Sequence, residues 1–286
     1  MNRAILNPSR REFLKTGMIA AATCGWAGSI ATGAAPPTRQ LAEIGIIGGV
    51  PKDAGSDWQQ SLRRMAQFGY KHLEARPRGT SVEEYLRFLK EIGLTLIGCG
   101  IDFGKKLKPD WLDAAVACKA RYAVVYWPWF YSPAKLDLPQ FKEIAEQLNK
   151  AGEQAKAAGL KLAVHNHDKE FRVLDGKPIF DRLLDLTQPD LLAIELDIYW
   201  AVKGGVDPLD YFRRYPGRFE LFHVKDMGPP PDQDFVAVGS GTIDFKRIFA
   251  QFKQAGVKYY IVELEGKANT MKAAEESCRY LKQLRF

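Results

Sequence analysis

The 286-residue chain predicts a single (β/α)8 barrel of the TIM type. Three observations carry that reading. From about residue 40 onward, eight short apolar runs recur roughly every 25 to 30 residues, each followed by an amphipathic segment. Eight βα units are the count of a closed parallel barrel, which uses about 250 residues as one domain. No linker or change of composition divides Leu41–Phe286, and 46% of the chain is apolar, enough for a sizeable core.

The elements follow in order. Leu41–Gly48 is the first strand and its turn. Gly45-Ile46-Ile47-Gly48-Gly49 lacks the spacing of a phosphate-binding glycine turn, which argues against a doubly wound sheet. Asp57 starts a helix ending near Phe68, with Gly69 as its stop. Tyr70–Arg76 is the second strand. Ser81-Val82-Glu83-Glu84 opens the next helix with capping chemistry, and Gly93 ends it. Thr95–Asp102 is the third strand, and Pro109-Asp110 opens the third helix. Tyr122–Trp127 is followed by the longest helix, Pro139 to Ala158, closed by Gly159. Lys161–Asp168 precedes a short helix, Ile179–Leu186. Leu192–Trp200 precedes a helix beginning at Pro208. Phe219–Asp226 precedes one from Asp244 to Gly256, and Tyr259–Glu265 one from Thr270 to Leu284. The loop Asp226–Gly241 holds Pro229-Pro230-Pro231 and is the largest irregular segment near the strand ends, a candidate lid.

Residues 1–34 read as a targeting segment and stand outside the fold argument. Ser9-Arg10-Arg11-Glu12-Phe13-Leu14-Lys15 is a twin-arginine motif, followed by a weakly apolar, Ala/Gly-rich stretch. The expectation is export to the periplasm. The stretch is too short and too weakly apolar for a membrane span, so no stable membrane insertion is expected once the signal is removed. The net charge of +7 is mild and includes no dense Lys/Arg run, which argues against a nucleic-acid partner. Four cysteines are present. Cys24 lies in the signal, and Cys99, Cys118 and Cys278 read as small buried apolar residues.

Side chains alternate along a strand, so residues i and i+2 share a face. On the sixth run, Ile194, Leu196 and Ile198 suit the helix side, which turns Glu195, Asp197 and Tyr199 inward. On the eighth, Tyr260, Val262 and Leu264 face the helices, and Glu263 and Glu265 point in. The fifth run directs His165 and His167 inward. The seventh offers His223 and Lys225, and the second His72, Glu74 and Arg76. His72 sits early in its run and reads as structural. Glu74 is divided between a substrate-binding role and an ion pair with Arg76. Acids gathered inside a barrel are costly without compensation, and a divalent cation on N and O ligands relieves them. Asp197, His223 and Glu263 are the core ligand set, with a fourth from the fifth strand. Mn²⁺, Zn²⁺, Mg²⁺ and Co²⁺ all suit such donors. Trp127, with Trp129 and Phe130, and Trp200 offer aromatic walls at the barrel mouth for a sugar ring, or else simply cap the barrel.

With those residues assembled, the chain resembles the sugar phosphate isomerase/epimerase group of the xylose-isomerase-like TIM-barrel superfamily over about residues 41 to 286. The motifs that carry the likeness are His165-Asn166-His167-Asp168-Lys169-Glu170-Phe171 and Glu195-Leu196-Asp197-Ile198-Tyr199-Trp200. Gly205-Val206-Asp207-Pro208, His223-Val224-Lys225-Asp226, Gly239-Ser240-Gly241-Thr242-Ile243-Asp244-Phe245 and Ile261-Val262-Glu263 complete them. The resemblance implies a metal held by Glu, Asp, His and Glu from strands five to eight. The last three fall on Asp197, His223 and Glu263. Where the group carries the first Glu, this chain carries His165. Either His165 takes its place, or Glu170 reaches in, or the metal keeps one more water.

The resemblance also implies isomerase or epimerase chemistry on a sugar or keto-sugar through a metal-stabilised enediolate. Glu263 or Glu170 would serve as base, His167 as acid or hydroxyl-binding group, and Lys225 would help hold the oxyanion. The same intermediate can expel a β-substituent, so a lyase or dehydratase acting on a keto-sugar or keto-glycoside is the first alternative. A non-catalytic sugar-binding barrel is the second. Export favours a free sugar over a sugar phosphate. The expected partner is a small carbohydrate, and an oligomer is left open.

Overall fold

All eight apolar runs become parallel strands that close on themselves. The computed structural model describes residues 39–49, 51–79, 81–104, 107–126 and 136–286. The expected export segment and the aromatic residues Trp127, Trp129 and Phe130 lie outside the described residues. The strands are β1 (Gly45–Ile47), β2 (His72–Glu74), β3 (Thr95–Ile101), β4 (Tyr122–Val125), β5 (Lys161–His165), β6 (Leu192–Asp197), β7 (Leu221–Val224) and β8 (Tyr259–Val262). They pair in chain order, and β1 closes on β8. Among the described residues the helices are α1 (Trp58–Phe68), α2 (Val82–Ile92), α3 (Asp113–Ala117), α4 (Leu138–Ala157) and α5 (Ile179–Leu186), then α6 (Ile198–Lys203), α7 (Pro208–Arg214), α8 (Phe245–Phe249), α9 (Phe252–Ala255) and α10 (Met271–Gln283).

Helix starts follow their caps. Asp57, Ser81 and Thr270 each accept the amide three residues on, from Gln60, Glu84 and Ala273. Such a cap contributes about 1 kcal/mol. Gly69 and Gly93 end α1 and α2 at φ of 106° and 75°, where a side chain would be strained. Several boundaries differ from the sequence reading. The third helix starts at Asp113, beyond Pro109, and the segment from Asp244 to Gly256 divides into α8 and α9. The fifth and sixth strands stop at His165 and Asp197, short of Asp168 and Trp200. Asp197 ends its strand because its side chain caps α6, accepting the Trp200 amide at 2.9 Å. Tyr199 and Trp200 therefore ride on a helix and do not continue the inward face.

The alternation expected of the strands is observed. Leu162, Val164, Ile194, Leu196, Tyr260 and Val262 belong to the core shared with the helices. Ile97, Tyr122, Val124, Ala163, Ala193, Leu221 and Ile261 fill the barrel. At its N-terminal end, buried Glu220 accepts from Tyr122 at 2.8 Å, Lys161 at 2.7 Å and Lys258 at 2.8 Å. His72 also sits at this end, 3.3 Å from Glu43 and edge-on to Tyr259, so its reading as structural holds. With both of these layers filled, polar side chains collect at the opposite, C-terminal end.

Three local devices shape that end. On β3, the pairing with β2 shifts so that Gly98 faces Glu74. A Cβ at Gly98 would stand 2.7 Å from Glu74 Oε2, so only glycine leaves room for the carboxyl. After β5, Asn166 clasps the end of β6: its Oδ1 accepts the Asp197 amide at 2.9 Å and its Nδ2 donates to the Asp197 carbonyl at 3.3 Å. In the turn that follows, buried Glu170 accepts the His167 amide at 2.9 Å. The loop after β7 is tied down by Asp226, whose carboxylate accepts the amides of Met227, Gly239, Gly241 and Ile243. A short antiparallel pairing of Asp226–Met227 with Phe235–Val236 adds to that hold. These bonds tie the candidate lid to the end of β7.

Two outcomes follow from this packing. Gly98→Ala should lose about 1–3 kcal/mol of stability from overpacking against Glu74, measured by chemical denaturation. Burial pushes the Glu170 carboxyl up from 4.5 to about 7. The folded state then binds more protons than the unfolded chain between those values, so this group's stabilisation is full below pH 4.5 and lost as pH rises through 7. Glu170→Gln, which keeps an acceptor for the His167 amide, should therefore gain stability relative to the native chain as pH rises over that window. The pH dependence of the unfolding midpoint checks it, and parallel curves for the two proteins would refute it.

Candidate active site

The C-terminal strand ends bring together what the alternation rule directed inward. His165 from β5, Asp197 from β6, His223 from β7 and Glu263 just after β8 each offer one donor atom, and all four lie within 4.8 Å of one another. His165, Asp197 and His223 are buried, at 2%, 0% and 0% exposure. His223 Nδ1 lies 2.9 Å from Glu263 Oε2, and His165 Nε2 lies 3.9 Å from Asp197 Oδ2. Asp197 divides its carboxylate: Oδ1 caps α6, and Oδ2 turns to the cluster without an aligned hydrogen bond.

Lys225 is the buried cation of the cluster. Its Nζ lies 3.0 Å from Asp197, 2.9 Å from Glu263 and 2.7 Å from Glu265. The rings of Trp200 and Phe235 stand 5.5 and 5.4 Å from the same ammonium. Burial works against the charge of Lys225, but Asp197, Glu263 and Glu265 outweigh it and raise its pKa. Burial likewise acts to raise Glu263, yet Lys225 and His223 hold it well below the usual carboxylate range. Asp197 is pushed up by burial, only partly offset by Lys225. Burial, then repulsion from His223, pushes His165 well down, so it stays neutral. Burial and Lys225 bring His167 down to about 4.

Glu74 and Glu195 sit deeper and fully buried, against the other nitrogen of His223. Burial pushes Glu195 well up, and the Glu74 charge adds to this. Burial acts the same way on Glu74, but the charge and hydrogen bond of His223 turn the net shift downward. His223 in turn is held well above its usual value, since Glu195, Glu74 and Glu263 overcome its burial. Glu74 does not pair with Arg76, which instead meets Asp102 at 2.6 Å. The sequence reading turned Glu195 inward but gave it no role. The signal was present in its i, i+2 relation to Asp197. Tyr126 was missed, and its hydroxyl donates to Glu74 at 2.5 Å.

A cavity of about 470 Å³ opens onto the cluster. It is lined by Ile47, Gly48, Gly49, Glu74, Ala75, Arg76, Pro77, Arg78, Tyr126, His165, His167, Glu263 and Glu265. Glu170 is not on that wall: it is held behind it by the His167 amide, so of the two β5-side candidates only His165 joins the cluster. Trp200 also lies off the wall, packed on His167 at 5.5 Å and on Phe235 at 5.7 Å. Nitrogen and oxygen donors without sulfur fit a hard or borderline divalent cation.

Known proteins give this geometry its context. Inosose dehydratase from Clostridium perfringens is 29% identical over 176 residues, 54% of this chain and 59% of that protein. The chain thus spans little more than half the length of the curated relatives it matches. The crystal structure of a sugar phosphate isomerase/epimerase from Parabacteroides distasonis has a TM-score of 0.72 at 27% identity, covering 84% of this chain and 93% of that one. The IolI protein with a bound zinc atom shares the fold at 13% identity, with a TM-score of 0.67 over 84% of this chain and 96% of that one. Residues 62–284 match the family described as xylose isomerase-like TIM barrel, and the chain belongs to that family.

Proposed function

We propose that this protein is a divalent-metal-dependent enzyme that isomerises or epimerises a sugar or keto-sugar through an enediolate. The observation that carries the reading is the convergence of His165, Asp197, His223 and Glu263 beside a polar cavity. A divalent cation held by those four supplies Lewis-acid stabilisation of the charge that develops on a substrate carbonyl oxygen as a neighbouring C–H loses its proton.

The chain's own groups account for the rest. Glu263 stands on the cavity wall as a carboxylate and is the proton acceptor in this reading. Lys225, ion-paired with Glu263 and Glu265 of the cavity wall, offsets the negative charge that substrate enolisation creates. His167 is neutral at pH 7 and lines the cavity, which suits hydrogen bonding to a substrate hydroxyl better than acting as general acid. Glu170 supports His167 from behind, a positioning role in place of the base role first expected. The expected export of the chain argues for an unphosphorylated substrate. A free sugar, keto-sugar or keto-glycoside is the proposed substrate class, and the periplasm the proposed location.

A second reading has specific support. The curated relatives are dehydratases, and an enediolate that expels a β-hydroxyl gives dehydration from the same first step. A turnover screen on free sugars, keto-sugars and keto-glycosides, with product analysis, separates reprotonation from elimination. Asp197→Ala or His223→Ala should remove most bound metal and lower kcat/KM by ~10³-fold or more, about 4 kcal/mol of transition-state stabilisation. Metal analysis alongside the assay checks both. Full metal occupancy in both variants would sink the site as drawn, and sugar binding indifferent to chelation would favour a non-catalytic binding barrel.

A further inference from the structure

Each imidazole of the candidate centre has two nitrogens, and the structure treats them differently. His223 Nδ1 faces Glu263 at 2.9 Å. Its Nε2 points away, hydrogen-bonded to Glu74 Oε1 at 3.2 Å, with Glu195 Oε2 also at 3.2 Å. His165 stands beside the same cluster without an aligned hydrogen bond at Nδ1. Its Nε2 faces Asp197 at 3.9 Å, and its Nδ1 lies 3.4 Å from Glu195 Oε2. Glu195 thus stands behind both rings, and Glu74 behind one. Both carboxyls are buried, at 0% and 1% exposure. Glu74 is held from two further sides, by the Tyr126 hydroxyl at 2.5 Å and by the space that Gly98 leaves.

A ligating imidazole must present one bare nitrogen, and the acceptor on its other nitrogen sets both tautomer and ring plane. We infer that Glu74 is a positioning residue, which holds the Nε2–H of His223 so that His223 Nδ1 is the atom offered to a cation. The inference rests on the metal-dependent reading above. It also moves Glu74 from a substrate contact to a support of the centre.

The test uses Co²⁺ as probe on the full chain, with its visible absorption bands reporting both affinity and coordination. Glu74→Ala should weaken Co²⁺ binding by roughly 10–100-fold and alter the bands. Glu74→Gln keeps an oxygen for both the His223 N–H and the Tyr126 hydroxyl, so it should restore most of the affinity. Should Glu74→Ala fail to fold, Tyr126→Phe provides the reading, with a smaller loss of affinity expected. In the Zn²⁺-loaded chain, ¹⁵N-histidine NMR should find His223 protonated at Nε2. Unchanged Co²⁺ affinity in the folded Glu74→Ala or Tyr126→Phe variant overturns the assignment, and so does a Gln variant as weak as the Ala one. His223 protonated at Nδ1, or a second Co²⁺ lost with Glu74, overturns it too. Native protein that binds no Co²⁺ overturns the metal-dependent reading itself, whereas the other failures leave that reading standing.

Discussion

Buried negative charge is the constraint on which the C-terminal end of this barrel depends. Glu74, Glu195 and Asp197 are fully buried, and Glu263 is partly buried at 17% exposure. Taking even one carboxylate out of water costs several kcal/mol after relaxation. Beneath them lies the apolar layer from Ile97 to Ile261, and Tyr126 packed against it gives one hydroxyl to Glu74. Their compensation comes from His223 and Lys225, each of which touches several of them. Removing either cation leaves uncompensated charge in a low-dielectric space, so the cluster behaves as one unit.

The backbone around the cluster is held by residues that do two things at once. Asp197 caps α6 with one oxygen and turns the other to the centre. Asn166 extends the β5–β6 ladder by bonding both the amide and the carbonyl of Asp197. Asp226 spends its carboxylate on four loop amides, which anchors the chain immediately after Lys225. Each device fixes a site residue through hydrogen bonds to the main chain, and these set position more tightly than side-chain packing alone.

Isomerisation, epimerisation and dehydration share the removal of a proton beside a carbonyl and part only afterwards. In the proposed reading His165 brings a neutral donor to the centre, and the carboxylates on the cavity wall, Glu263 among them, are left to carry the proton. On the proposed reading, the fate of the intermediate rests on what the remaining wall, His167 above all, does to the substrate hydroxyls.

Much of this was legible in the sequence. The count of apolar runs determined the barrel, because strands buried on both faces must be apolar throughout. Period-two alternation determined that Asp197, His223, Glu263 and His165 point inward, because that period is a property of the extended backbone. Helix starts at Asp57, Ser81 and Thr270 were readable because capping is local. Only the tertiary structure decided the pairings across the barrel. Glu74 meets His223, 149 positions away, while Arg76 leaves it for Asp102. Glu195 stands behind two histidines because neighbouring strands place it there. Glu170, five residues beyond His165, turns away because the chain folds into a tight turn whose amide it must satisfy. Strand register and turn closure depend on distant partners, and no local pattern in the sequence encodes them.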